Sequence, residues 1–212
     1  MKKNLLSLIA MLLLNTSMLS ANDDNGMDES YEANQDTSDH IQLRVGMASI
    51  GGTFYLESGF GVTTPDSDLK NGSGFDVSLV TGVNRSKGFD YRSVLTLQLQ
   101  DVTLGDVTLG DVKASSTMFI GEGEIAYNIN QYISPFIGFY GGIGVTDIPD
   151  INEKGNLTYD LGVLIGISGK IYKGLGYYAK YTAGIKGFNV ADNTTGIRQK
   201  PKVLRLGASY TF

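Results

Sequence analysis

The sequence has no cysteine and no tryptophan, one histidine and only four prolines in 212 residues. The absence of cysteine excludes disulfides, thiol chemistry and lipoprotein processing. After Ala21 no stretch approaches the roughly 18 continuous apolar residues of a transmembrane helix, so no helical membrane span is predicted. The basic residues are not clustered, which argues against a nucleic-acid partner.

The first 21 residues have the pattern of a secretory signal peptide. Lys2 and Lys3 precede an apolar run over residues 5–14, and small and polar residues follow as far as Ala21. The run is too short to cross a bilayer as a helix. We therefore predict export of the protein, with cleavage after Ala21.

Residues 22–39 are predicted to be an acidic, disordered linker. This segment contains seven acidic residues, no basic residue and almost nothing apolar. From His40 onward the chain carries 15 residues of each charge and is formally neutral. The length of residues 40–212 is that of one domain.

That domain alternates apolar and polar residues in eight segments. Successive side chains of a strand point to opposite faces, so each segment predicts a strand with one apolar and one polar face. Segments of about ten residues suit tilted strands that cross the hydrocarbon layer of a membrane. The predicted strands are 41–48, 74–83, 89–99, 117–129, 135–145, 157–168, 175–186 and 204–212.

The connections between these strands alternate in length. Short ones are predicted at 84–87, 130–134 and 169–173, and long ones at 50–73, 101–116, 146–156 and 187–202. This alternation is typical of outer-membrane barrels, which have short periplasmic turns and longer extracellular loops. Residues 53–62 are predicted either to extend the first strand or to form a separate hairpin.

The polar faces carry ten charged residues, five of each sign. The lumen of an eight-stranded barrel is only wide enough to be filled by side chains. Opposite charges there are expected to pair, for instance Glu122 with Arg205, because an unpaired buried charge is costly. We interpret the set as a structural charge network, with a thin ion path along the same groups as the alternative. The residues are Arg44, Asp76, Asp90, Arg92, Glu122, Glu124, Asp160, Lys180, Lys186 and Arg205.

No catalytic, metal or cofactor site is predicted. Glu122 and Glu124 superficially resemble a catalytic carboxylate pair, but nothing else supports hydrolysis. A deacylase needs a histidine near the outer rim, whereas His40 precedes the first strand and is expected at the periplasmic end. The repeat DVTLGDVTLGDV at 101–112 spaces aspartates as in no known calcium motif, so it is predicted to extend a hairpin.

The last nine residues, LRLGASYTF, place an unbroken apolar set on one face of a strand. This segment resembles the closing strand of bacterial outer-membrane barrels, which the assembly machinery recognises as a sorting signal. With SPFIGFYGGIGV and YYAKY, it makes the chain similar to the small outer-membrane barrel superfamily that includes the transmembrane domain of outer-membrane protein A and the opacity-associated adhesins. The proposed signal residues are Leu204, Leu206, Tyr210 and Phe212.

The resemblance implies an all-β, eight-stranded, antiparallel, up-and-down barrel in the bacterial outer membrane. Its partners would be membrane lipid, the barrel-assembly machinery, periplasmic chaperones and an extracellular ligand of the loops. We expect a non-enzymatic structural or surface-interaction role. A narrow porin-like channel for ions or small solutes, or the binding of a hydrophobic small molecule in the barrel wall, are the alternatives.

Overall fold

The computed structural model describes residues 40–58, 67–83, 87–106, 110–149, 153–190 and 195–212. The predicted signal peptide and acidic linker lie outside these ranges. No helix in the described ranges is long and apolar enough to cross a membrane. The strands are β1 (His40–Ser58), β2 (Ser67–Val83), β3 (Gly88–Asp106), β4 (Gly110–Asn128), β5 (Ser134–Ile148), β6 (Glu153–Tyr172), β7 (Leu175–Val190) and β8 (Thr195–Thr211).

The eight strands form a closed, antiparallel, up-and-down barrel. Each strand pairs with the next in sequence, and β1 closes the barrel on β8 from Gln42 opposite Thr211 to Ser58 opposite Thr195. Closure pairs backbone groups that would otherwise be exposed at a sheet edge. The predicted fold class is confirmed.

Side chains alternate between a buried interior and an exposed, largely apolar outer wall. On β3 the outward residues include Phe89, Tyr91, Leu95, Leu97 and Leu99, all at least 40% exposed. From Phe89 to Leu99 the strand covers roughly 33 Å, or about 25 Å along the axis of a barrel whose strands tilt by about 40°. We call this exposed apolar surface the apolar belt. Its height matches the hydrocarbon layer of an outer membrane.

The barrel has two unlike ends. At the turn end, the connections within the described ranges are residues 129–133 and 173–174. Asn130 holds one of these turns, because its Oδ1 accepts hydrogen bonds from the backbone N–H groups of Tyr132 and Ile133 at 2.8 and 3.0 Å. We call the opposite end, where strands pair beyond the belt, the hairpin end.

The predicted strand boundaries at the hairpin end were wrong, because most residues assigned to long loops lie in paired strands. β3 and β4 remain paired from Asp101 opposite Ser115 as far as Asp106 opposite Gly110. The repeat at 101–112 therefore extends a hairpin, although residues 107–109 lie outside the described ranges. Residues 53–58 extend β1, and 59–62 are outside the described residues.

Exposed charges mark where the apolar belt ends and these extensions begin. Asp101, Lys113, Asp147 and Lys202 are exposed on the outer wall at the hairpin end. Beyond them the strands remain paired. We call the strand segments 49–58, 67–73, 101–106, 110–116, 146–148, 153–158, 184–190 and 195–202 the projecting sheet.

A β-bulge in β2 reverses the predicted direction of one side chain. His40 pairs with Val83 but Gln42 pairs with Val80, so β2 contains one extra residue there, and Gly82 has a φ of 77°. An extra residue turns the following side chain to the other face. Val83 is therefore buried with Val80 and Val94 in the lumen, and its predicted place on the outer face was wrong.

The wall has an unpaired stretch in the projecting sheet between β7 and β8. Their ladder ends at Ala183 opposite Lys202, although β7 continues along β6 to Val190 and β8 continues along β1 to Thr195. Pro201 has no backbone N–H to donate at this point. Segments 184–190 and 195–201 are thus not paired with each other within the described strands.

Candidate functional site: the charged lumen

Most of the predicted lumen charges lie inside the barrel. Asp160 is half-buried, and the side chain of Lys186 is outside the part that the structure describes. The remaining eight are Arg44, Asp76, Asp90, Arg92, Glu122, Glu124, Lys180 and Arg205, all at most 6% exposed.

Arg44 and Glu124 form a two-point ion pair across the lumen. Arg44 Nη1 donates to Glu124 Oε1 at 2.8 Å, and Nη2 donates to Oε2 at 3.2 Å. Arg44 Nε donates to Gln42 Oε1 at 2.8 Å. The guanidinium carbon also lies 5.5 Å from the ring centre of Phe136 and 5.4 Å from that of Tyr178. Planar stacking and two-point hydrogen bonding are interactions that arginine makes and lysine does not.

A second ion pair joins Glu122 to Lys180, whose Nζ donates to Glu122 Oε2 at 2.5 Å. Thr96 Oγ1 donates to the other oxygen, Oε1, at 3.4 Å. Glu122 and Glu124 are therefore each bound to a different cation, and neither is arranged as half of a catalytic carboxylate pair. Arg205, the partner considered for Glu122 from the sequence, is bound elsewhere.

Arg205 lies buried among neutral partners. Its Nη1 donates to Thr182 Oγ1 at 3.1 Å, and its Nη2 donates to Gln98 Oε1. Its Nε has no hydrogen-bond acceptor among the described residues. Arg205 is thus a buried cation that makes no ion pair with a described carboxylate.

The third ion pair lies near the turn end, where Arg92 Nη2 donates to Asp90 Oδ2 at 3.0 Å. Arg92 Nη2 also donates to Asn128 Oδ1 at 3.1 Å, and Nη1 donates to Ser168 Oγ at 3.0 Å. Ser134 Oγ donates to the same Asn128 oxygen at 2.6 Å. This group ties β3, β4, β5 and β6 together inside the barrel.

Two tyrosines supply partners that sequence reasoning missed. Tyr178 Oη donates to Asp76 Oδ2 at 2.8 Å, and Tyr140 Oη donates to Asp160 Oδ2 at 3.0 Å. Tyr178 fits because a glycine faces it, and a Cβ on Gly46 would overlap its hydroxyl. The signal in the sequence was a tyrosine on the polar face of a glycine-rich strand, which is where Tyr140 and Tyr178 lie.

Towards the hairpin end the lumen contains a buried apolar group beside the hydrogen-bonded hydroxyls of Ser116, Thr146 and Thr158. Six buried side chains from β1, β3, β4, β5 and β8 contact one another there, a group that we call the apolar layer. Sequence reasoning missed it because most of these positions were assigned to loops or only to the less apolar face of a strand. The members are Ala48, Ile50, Val102, Ala114, Ile148 and Val203.

The described residues do not hold a group of three or more His, Cys, Asp or Glu side chains that could bind a metal ion. His40 lies at the turn end, where its Nδ1 is 3.2 Å from the carbonyl oxygen of Phe212.

The four proposed assembly-signal residues lie on the outer face of β8 and the residue after it. Leu204, Leu206, Tyr210 and Phe212 are between 44% and 68% exposed. The rings of Tyr210 and Phe212 meet edge to face with centres 5.1 Å apart. The backbone N–H of Phe212 donates to the carbonyl oxygen of Ile41 at 3.0 Å, which continues the pairing of β8 with β1. These residues thus follow the outer wall along β8, with Tyr210 and Phe212 at the turn end and Leu204 near the hairpin end.

Known structures share this architecture. The outer membrane protein OprG from Pseudomonas aeruginosa matches with a TM-score of 0.55 and 13% identity, covering 83% of this chain and 96% of that one. Neisserial surface protein A matches with a TM-score of 0.51 and 13% identity, covering 81% and 97%. The outer membrane protein AlkL, solved in lipid bilayers, matches with a TM-score of 0.50 and 16% identity, covering 90% and 97%.

No family model matches the sequence, and no curated protein is significantly similar to it. Identities this low establish the shared fold alone. The chain therefore has the fold of the small bacterial outer-membrane β-barrels, as its resemblance to that superfamily implies. The apolar belt independently places the barrel in a lipid bilayer, since such a surface is unfavourable in water.

Proposed function

We propose that this protein is a non-enzymatic outer-membrane barrel with a structural or surface-interaction role. In this proposal the lumen is a plug that holds the wall together, and the projecting sheet is the surface that meets a partner. The observation that carries the proposal is the filled lumen, in which three buried ion pairs and the apolar layer occupy successive parts of the barrel.

The two parts of the lumen oppose conduction for different reasons. A solute that passes the ion pairs has to replace short, buried, charge-assisted hydrogen bonds such as those between Arg44 and Glu124. The six side chains of the apolar layer offer no polar group to a hydrated ion, and water lost there without replacement is costly. Side chains that fill an eight-stranded lumen therefore favour a structural role over a pore.

The projecting sheet gives the barrel a rigid surface outside the membrane. On β1 it extends from Ser49 to Ser58, which at about 3.3 Å per residue is roughly 30 Å along the strand. A paired backbone holds its side chains in fixed positions, and the hairpin connections that it carries are where recognition residues usually lie. Membrane lipid, the assembly machinery and periplasmic chaperones are the further partners that a barrel of this kind requires.

A narrow channel for ions or small solutes is the second candidate, and one observation favours it. Segments 184–190 and 195–201 are not paired with each other, so backbone hydrogen bonds between β7 and β8 do not close the wall of the projecting sheet there. A gap between β7 and β8 would connect the lumen to the outside. Electrical conductance separates this candidate from the plug.

The surface-interaction role is tested by shortening one hairpin of the projecting sheet. Removal of 104–106 together with 110–112 takes out residues that face each other across β3 and β4 and leaves Thr103 paired with Lys113. We expect bacteria that display the shortened protein to bind immobilised matrix proteins or cultured epithelial cells less than bacteria with the intact barrel. Equal binding by intact, shortened and non-expressing bacteria would remove support for this role.

A further inference from the structure

The lumen opens at the turn end into a cavity of about 110 Å³, which we call the mouth cavity. One water molecule needs about 10–15 Å³ of cavity volume. The mouth cavity therefore has room for a small polyatomic ion with several waters. Three cationic residues, Arg92, Lys170 and Lys173, are among its described lining residues, which include no carboxylate. The other polar lining groups are amides and hydroxyls, including those of Asn128, Ser134 and Ser168.

Arg92 provides a fixed charge at the inner side of this cavity. It is only 5% exposed, and its hydrogen bonds to Asp90, Asn128 and Ser168 use four of its five N–H groups. The second hydrogen of Nη1 has no acceptor among the described residues. A buried guanidinium with a donor to spare, held in place by several strands, is suited to bind an oxyanion.

The two lysines place further positive charge towards the rim. Lys170 is half-buried, and its backbone N–H donates to the carbonyl oxygen of Gln131 at 2.8 Å, which fixes the end of β6 against the neighbouring turn. Lys173 lies in the β6–β7 turn with a φ of 48°, and its Nζ is 5.3 Å from the ring centre of Tyr172. Asp90 offsets one of the three charges, so the mouth cavity keeps an excess of positive charge.

We propose that the mouth cavity binds a phosphate group, with Arg92 as its inner donor and Lys170 and Lys173 attracting it at the rim. This proposal adds to the proposed function, because the site lies at the opposite end of the barrel from the projecting sheet, which is the proposed partner surface. The phosphate has two sources at this end, a free solute or the headgroup of a lipid in the adjacent leaflet. The two differ in chemistry, since a lipid headgroup is a phosphodiester and inorganic phosphate is not esterified.

The test is calorimetric titration of the refolded, full-length protein in a phosphate-free maltoside detergent. One arm adds inorganic phosphate and the other adds glycerophosphoglycerol, a soluble phosphodiester. We expect saturable binding in at least one arm, and the tighter ligand identifies the source. The double variant Lys170→Gln/Lys173→Gln should bind that ligand at least tenfold more weakly, and Lys173→Gln alone should show part of this loss.

The matched control is Lys113→Gln/Lys202→Gln, which removes the same charge from the hairpin end. It should bind within twofold of the wild type, and unheated protein of each variant should keep the folded mobility in an SDS gel. The proposal is overturned if the wild type binds neither ligand saturably. It is also overturned if the control pair weakens binding as much as the mouth pair, because the effect would then be one of net charge.

Discussion

Arg44 on β1 and Glu124 on β4 meet across the lumen through two hydrogen bonds of 2.8 and 3.2 Å, and both side chains are completely buried. The strands that carry them are not neighbours in the barrel. This ion pair therefore links opposite parts of the wall. Removing one residue of the pair should therefore destabilise the barrel more than replacing both with apolar residues.

Glu124→Ala should lower the free energy of unfolding by about 3–5 kcal/mol, because it leaves the Arg44 guanidinium buried without its carboxylate. Hydration of the lumen would reduce this figure. The measurement is urea unfolding of the refolded protein in lipid vesicles, followed by the gel mobility of unheated samples.

Two further variants show whether the loss arises from the stranded charge. Arg44→Met/Glu124→Leu should recover most of the stability, since an apolar pair of similar volume leaves no unpaired charge. Asp101→Ala, an exposed carboxylate on the outer wall, should change stability by less than about 0.5 kcal/mol. A double variant that is less stable than Glu124→Ala would contradict this explanation.

Glu122 should be coupled to Lys180 and not to Arg205. A double-mutant cycle of Glu122→Gln with Lys180→Met should give an interaction energy above about 1 kcal/mol, because the two groups form an ion pair. The matched cycle of Glu122→Gln with Arg205→Met should give a smaller value, since Arg205 donates to Gln98 and Thr182. Equal coupling in the two cycles would mean that the lumen charges act as one shared network.

Gly46 and Gly51 lie on the same strand but tolerate a side chain very differently. A Cβ on Gly46 would overlap the hydroxyl of Tyr178, whereas a Cβ on Gly51 would meet nothing within 4 Å. Gly46→Ala should therefore destabilise the barrel by about 1–3 kcal/mol, the usual cost of overpacking. Gly51→Ala should be neutral or slightly stabilising. Urea unfolding of both variants is the check, and equal midpoints would show that the packing of Tyr178 is loose.

Tyr210 and Phe212 should anchor the turn end at the membrane interface. Phe212 is 68% exposed and packs edge to face on Tyr210, as aromatic residues of interface girdles do. Phe212→Asp should lower the fraction of protein recovered in the outer membrane and raise the periplasmic fraction, while Phe212→Tyr should insert normally. Both fractions are measured by immunoblot after membrane separation. Normal insertion of Phe212→Asp would show that this aromatic position is dispensable.

The sequence predicted the barrel because lipid outside and polar groups inside impose a two-residue period. That period is clear from Phe89 to Leu99 and from Leu204 to Phe212, where the apolar face is unbroken. Beyond Asp101 the apolar side changes face, because Val102 and Ala114 point into the lumen while Asp101 and Lys113 are exposed. The length over which neighbouring strands remain paired beyond the apolar belt was therefore not predictable from the side chains alone.

The sequence predicts which charged side chains of the candidate site point into the lumen, but not which side chains they contact. Alternation places Glu122, Lys180 and Arg205 in the lumen, whereas the height of each side chain depends on strand tilt and register. The bulge that carries Gly82 shows the same limit, since one extra residue turned Val83 inward. The contacts of Tyr140 and Tyr178 with aspartates depend on glycines in neighbouring strands, a relationship that becomes visible only when the strands are paired.

Planar-bilayer conductance tests most directly whether the lumen is a plug. Refolded wild-type protein should show negligible conductance in a phosphate-free salt solution, because ion pairs and the apolar layer fill successive parts of the lumen. Glu122→Ala and Glu124→Ala should show at most sporadic openings together with lower resistance to urea. Steady wild-type conductance, combined with a change in cation preference but unaltered urea resistance in both variants, would contradict the plug and establish a pore.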